Sequence, residues 1–167
     1  MVEKEDRLDR LTREWNARRS DLDISPWQVW GRITRLNDLF LLKLNQIFTR
    51  HGVNFTEYQT LGALIVSGPP YQASPQTISR LNLITSGGMT NILKRMETKG
   101  YIKRLRNPDD GRGIIVTATE LGIERFNAVI LEENAAEHNL LKALTPQEQE
   151  VAALILRKLM LDVDDRE

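Results

Sequence analysis

The chain of 167 residues is long enough for one domain with a helical extension and a real core, and its 23 Lys and Arg offset its 23 Asp and Glu. It has no cysteine, which excludes disulfides, thiolate metal sites and thiol redox switches. No apolar run approaches the ~20 residues of a membrane span, and the charged start MVEKEDRLDR lacks the apolar centre of a signal peptide, so the expectation is a soluble, cytoplasmic protein.

Leu8, Leu11 and Trp15 recur at helical spacing among charges, predicting a thin amphipathic helix over 4–19 that must dock on another surface. Ser25-Pro26-Trp27-Gln28 then supplies a Ser cap, a Pro at the first helical position and a Gln for a capping box. The long helix it opens runs to about Arg50, with Trp27, Trp30, Ile33, Leu36, Phe40, Leu44, Ile47 and Phe48 spread over more than one stripe. His51-Gly52 ends it.

Asn54-Phe55-Thr56-Glu57 opens the next helix, which carries Tyr58, Leu61, Leu64 and Ile65 and stops at Gly68-Pro69-Pro70. Ser74-Pro75 starts a short helix with Ile78 and Leu81 expected inward. Only Asn82-Leu83-Ile84 separates it from Thr85, a cap for a helix over 86–99. Two helices joined so tightly predict a helix-turn-helix. In the second, Met89, Leu93 and Met96 form the core face, and Gly100 is the stop.

Two β-prone runs, Tyr101 to Leu105 and Ile114 to Thr117, flank the turn RNPDDGRG and predict a hairpin, so the unit reads as a winged helix. Thr119 caps a long helix reaching roughly Ala143, and Thr145-Pro146-Gln147-Glu148 starts a last one with Leu154, Ile155, Leu159 and Leu161 on its apolar face. The expected fold is mainly α with a small β-hairpin wing (α+β). It comprises an N-terminal amphipathic helix and linker over 1–24, a helical dimerisation layer over 25–53 and 119–167, and a winged helix-turn-helix DNA-binding lobe over 54–118.

Charge is distributed by segment. From Pro75 to Arg112 eight basic residues face three acidic ones, whereas from Thr119 onward eleven carboxylates face five basic residues. The middle of the chain is polarised toward a polyanion. In the helix over 86–99, Ser86-Gly87-Gly88 has little side-chain bulk, so backbone amides can approach a phosphate, helped by the helix dipole. Thr90, Asn91 and Lys94 lie off the core face, and Asn and Lys are side chains that read adenine and guanine edges. Arg95 on the same helix is a phosphate or packing contact. Lys103, Arg104 and Arg106 lead into the turn and Arg112 leaves it, where a wing straddles a phosphate backbone. Asp110, two residues from Arg112, is placed to hold the guanidinium by charge-assisted hydrogen bonds and aim it at a narrow minor groove. The bland alternative for each of these is a solvated polar surface.

The run LITSGGMTNILKRMETKGYIKRLRNPDDGRGIIVTATELG resembles the core of the multiple-antibiotic-resistance regulator (MarR) family of winged-helix repressors, whose wing carries Asp-x-Arg, matched by Asp110-Gly111-Arg112. DLDISPWQVWGRITRL and SGPPYQASPQTISR are similar to members with an extra N-terminal helix. One departure is Gly111, where many relatives have a second arginine. The resemblance implies a symmetric dimer on a pseudo-palindromic double-stranded operator and a ligand-responsive repressor. It also implies an effector cleft taking small anions, often phenolic, and some relatives with the extra helix answer to urate through a tryptophan that Trp15 could match.

The expected DNA-binding set is therefore Ser74, Gln76, Ser86, Gly87, Thr90, Asn91, Lys94, Arg95, Lys103, Arg106, Asp110 and Arg112. The candidate effector residues are Trp15, Trp27, Trp30, Arg32, His51, Phe55 and Tyr58, with Arg35 as an alternative anion partner. No catalytic residue, metal or cofactor is expected: there are only two histidines, no Walker loop and no dinucleotide glycine pattern. The rival reading is a winged helix used for protein contact, since the fold does not oblige DNA binding.

Overall fold

The computed structural model describes residues 4–82, 86–106 and 113–164, which form two compact units, Met1–Leu44 and Asn45–Glu167. Among the described residues no helix is long and apolar enough to cross a membrane.

The first unit contains α1 (Arg7–Arg18) and most of α2 (Trp27–Arg50). Asp6 caps α1 by accepting from the amides of Leu8 and Asp9 at 2.7 and 3.0 Å, while the Asp9 carboxylate accepts from the Asp6 amide at 2.9 Å. This reciprocal box satisfies amides that the first turn leaves unpaired. The predicted box at Ser25 does not form. Gln28 turns its Oε1 to Arg32 at 2.5 Å, because a guanidinium one turn away is a stronger donor than a backbone amide. Gly31 lets Leu8 lie against α2, since a Cβ there would stand 2.6 Å from Leu8 Cδ1.

The second unit runs α3 (Phe55–Val66), β1 (Gln72–Ala73), α4 (Pro75–Leu81), α5 (Ser86–Thr98), β2 (Ile102–Arg106), β3 (Ile114–Ala118), α6 (Glu120–Leu141) and α7 (Pro146–Asp164). The predicted caps at Asn54, Ser74 and Thr119 each accept from a first-turn amide, and Thr145 and Glu148 complete a box at the start of α7. Gly100 leaves α5 at a φ of +74°, the left-handed step that glycine takes without steric cost.

The sheet has antiparallel order β1-β3-β2, with Ile102 opposite Ala118 and Arg106 opposite Ile114. The two-residue strand β1, in which Gln72 faces Thr117 and Ala73 faces Val116, adds a third strand to the predicted hairpin. Leu61 and Leu64 of α3, Ile78 of α4, Met89 and Met96 of α5, Ile102, Val116 and Val129 of α6 are sealed into one core. Gly122 allows α6 to pass close to the start of the wing, because a Cβ there would stand 2.1 Å from the Tyr101 carbonyl oxygen.

Leu81 corrects an expectation: it is 56% exposed rather than inward. The position one turn after Ile78 is taken instead by Asn82, which ends α4 by donating its amide to the Ile78 carbonyl at 3.0 Å and its Nδ2 to Thr60 Oγ1 at 3.4 Å. At the other end of the unit, no residue of α7 is buried.

Candidate nucleic-acid interface

The helix α5 turns Met89, Ile92, Leu93 and Met96 into the core. Gly87, Thr90, Asn91, Lys94 and Thr98 remain exposed at the i, i+3, i+4, i+7 and i+11 spacing of a single helical face. A Cβ built on Gly87 would meet no protein atom within 4 Å, so internal packing does not call for glycine at this point of the first turn. Arg95 flanks the stripe and donates its Nε to Glu57 at 2.6 Å while its side chain stays 47% exposed. The Ser86 side chain lies outside the described residues, as do Thr85, Asp110 and Arg112.

In α4, Gln76 is exposed, whereas the Ser74 hydroxyl accepts from the Thr77 amide at 3.1 Å and serves as the cap. On β2, pleating places Arg104 and Arg106 on the Ile102 side and Lys103 on the other, so positive charge lies on both faces of the wing. Lys103 and Arg106 are exposed. Arg104 is instead clamped to Glu97 of α5, and its hydrogen bonds hold the Glu97 carboxyl below the usual carboxylate range. The surface thus presents a polar stripe with little bulk at its N-terminal turn beside a basic two-stranded ribbon. That combination fits insertion of a helix into a groove and contact of a wing with phosphates.

Residue Glu57 was read from the sequence only as part of a helix start. It is completely buried in the second unit and receives Arg95, Lys99 at 2.9 Å and the Asn54 amide at 3.0 Å. Burial pushes its carboxyl upward, but the hydrogen bonds from Lys99, Arg95 and Asn54 together leave it below its ordinary value.

The effector candidates fall into two groups. In the first unit Trp15 packs edge-on to Trp27 with ring centroids 5.5 Å apart, and Trp30 is 67% exposed. Arg32 is held by Asp6 at 2.9 Å and Asp9 at 2.7 Å. It lines a polar cavity of about 870 Å3 with Asp6, Asp9, Arg13 and Gln28, while Trp27 and Trp30 line a separate apolar groove of about 410 Å3 with Leu8, Leu11 and Arg35. Arg32 and these tryptophans are not brought into one cavity.

In the second unit His51 Nε2 lies 2.8 Å from Glu132 Oε1, and Arg50 pairs with the same carboxylate. Tyr58 stacks on Phe126 at 5.2 Å and donates its hydroxyl to Glu133, and Phe48 lies between Tyr58 and the half-exposed Phe55. Burial, then Glu133, pushes the Tyr58 phenol well up. Glu132 and Glu133 of α6 are therefore the partners of this cluster. Among the described residues no group of His, Asp and Glu is placed to hold a metal ion.

A helix-turn-helix followed by a basic antiparallel wing defines a winged-helix protein. The profile of the MarR family matches residues 51–113. The regulator YkoM of Bacillus subtilis is 31% identical over 108 residues, 65% of this chain and 68% of its own, and PecS of Dickeya dadantii is 27% identical over 139 residues, 83% and 84% of the two chains. The crystal structure of Sco3205, a MarR family transcriptional regulator from Streptomyces coelicolor in complex with DNA, superposes with a TM-score of 0.69 at 22% identity over 83% of this chain and 88% of that one. The chain belongs to the MarR family of transcriptional regulators.

Proposed function

We propose that this regulator binds a specific pseudo-palindromic operator as a homodimer and represses until a small ligand releases it. The observation that carries the reading is the exposed stripe Gly87, Thr90, Asn91 and Lys94 on α5, beside Lys103 and Arg106 of β2. Residues 54–118 act as the DNA-binding lobe, with Gln76 and Arg95 at its margins. Asn91 and Lys94 supply base contacts, and the wing supplies phosphate contacts that fix register.

Residues 25–53 and 119–167 serve as the dimerisation layer. Support comes from α7, where Val151, Leu154, Ile155, Leu159, Met160 and Val163 are exposed in a helix without a buried residue. A surface of that kind on a single chain marks an association site. A two-fold dimer presents two copies of α5 to half-sites one helical turn apart, which is why a palindromic operator follows.

For the ligand, the cluster of Phe55, Tyr58 and His51 supports a phenol rather than a free carboxylate. Glu132 and Glu133 already face His51 and Tyr58, and they repel a second anion while able to accept a hydrogen bond from a hydroxyl.

The test is binding of the full chain to DNA from upstream of its own gene, with a random duplex of equal length as control, across a salt series. Preference for the upstream DNA is expected, with log K falling against log salt at a slope of about −0.9 per phosphate neutralised. Equal, weak binding to both duplexes would favour the protein-contact role.

A further inference from the structure

The attachment of α5 to the rest of the second unit is of two kinds. Met89, Leu93 and Met96 bury its inner face, and apolar burial is non-directional, so it resists exposure of the helix far more than a small roll about its axis. Its directional attachments include Glu97 to Arg104 of β2 and, to α3, a single carboxylate. Glu57 Oε1 accepts from Arg95 Nε at 2.6 Å, and Glu57 Oε2 accepts from Lys99 Nζ at 2.9 Å, so two points one turn apart are held by one buried group.

The carboxylate is itself fixed. It sits at the third position of α3 and accepts from the Asn54 amide, while the Glu57 amide donates to Asn54 Oδ1 at 2.9 Å. Lys99 also donates to the Gly52 carbonyl at 3.0 Å, an oxygen that accepts from the Tyr101 hydroxyl at 3.2 Å. Arg95 follows Lys94 directly and lies one turn from Asn91. A roll of α5 that lengthened the Arg95 contact would therefore swing both proposed base-reading side chains.

We infer that Glu57 is a positioning residue for sequence readout: without touching DNA, it sets the roll of α5 through Arg95 and Lys99 and so determines selectivity for the operator over other DNA. The inference rests on α5 being the reading helix. Base contacts need their side chains held within about 0.5 Å of the productive position, whereas phosphate attraction acts over a Debye length of ~10 Å and tolerates a small roll. Loss of the clamp therefore acts on the ratio of operator to random affinity and spares general attraction to DNA.

The experiment measures dissociation constants of the full chain for upstream DNA and for a random duplex at one salt concentration, for the unaltered protein, Glu57→Gln and Lys99→Gln. Glu57→Gln is expected to lower the operator-to-random ratio about tenfold, in the range of lost base contacts. Its random-duplex affinity should be unchanged or higher, because two cations lose their counter-charge. Lys99→Gln keeps the carboxylate and one of its two tethers, so the same ratio should fall by less. It carries the test alone if Glu57→Gln does not fold. An equal loss on both duplexes, or lowered thermal stability with an unchanged ratio, overturns the positioning role and leaves Glu57 a structural residue. No preference by the unaltered protein overturns the reading of α5 and the inference with it.

Discussion

Glu97 of α5 and Arg104 of β2 are joined by hydrogen bonds, with Arg104 Nε 2.8 Å from Glu97 Oε2 and the Arg104 amide 3.3 Å from Glu97 Oε1. The pair ties α5 to the wing and withdraws one of the wing's arginines from the solvent-facing charge. Glu97→Gln should return that charge. Both side chains are about one-third exposed, so the stability change should stay within about 1 kcal/mol. Affinity for random duplex should rise, and the salt slope should steepen by about one phosphate. A salt series on the variant checks this.

Two glycines should respond to alanine in opposite ways. At Gly122 the added Cβ collides with the Tyr101 backbone, so Gly122→Ala should cost about 3 kcal/mol of stability, read as a lowered thermal midpoint. At Gly87 the space is open within the protein and alanine is the better helix former, by up to about 1 kcal/mol. Gly87→Ala should therefore be as stable as the parent or more so, yet bind upstream DNA more weakly. Calorimetry with binding on the same samples separates the two.

Most of the fold was legible because its signals are local. Asn54 with Glu57, Ser74 with Pro75, and Thr145 with Glu148 announce helix starts within four residues, and Gly52 and Gly100 announce stops. What escaped depends on tertiary partners. The strand β1 is two residues long and exists only through its pairing with β3. The Glu57 contacts to Arg95 and Lys99 span 38 and 42 residues, and those of Glu132 and Glu133 to His51 and Tyr58 span 81 and 75. No short pattern records such distances. The exposed face of α5 was legible because the helical period that buries Met89, Leu93 and Met96 also exposes Asn91 and Lys94.

The depressed carboxyl of Glu57 has a signed consequence for pH. Its folded-state pKa lies below the ordinary 4.5, so its contribution is fully present above about pH 4.5 and is lost as the pH falls through the lower folded value. Acid unfolding followed by circular dichroism should show parent stability falling below that pH, with a shallower fall in Glu57→Gln over the same window. Parallel curves would place the acid sensitivity elsewhere.

The exposed face of α7 should respond to charge. Leu154→Glu with Leu159→Glu puts two carboxylates on a helix that has no buried residue of its own, so the secondary structure of the chain should persist while its mass in sedimentation falls to that of one chain. Operator affinity should fall with it, since two half-sites are then no longer bound together. A dimeric mass in the doubly substituted chain would move the interface off α7.

In the proposed function α5 reads sequence through Asn91. The direct measurement is Asn91→Ala binding to upstream DNA and to random duplex at matched salt. The expected result is a loss of about 1–3 kcal/mol on the upstream DNA with random-duplex affinity unaltered. A uniform loss on both would make Asn91 a backbone contact, and no loss on either would contradict the assignment of α5 as the reading helix.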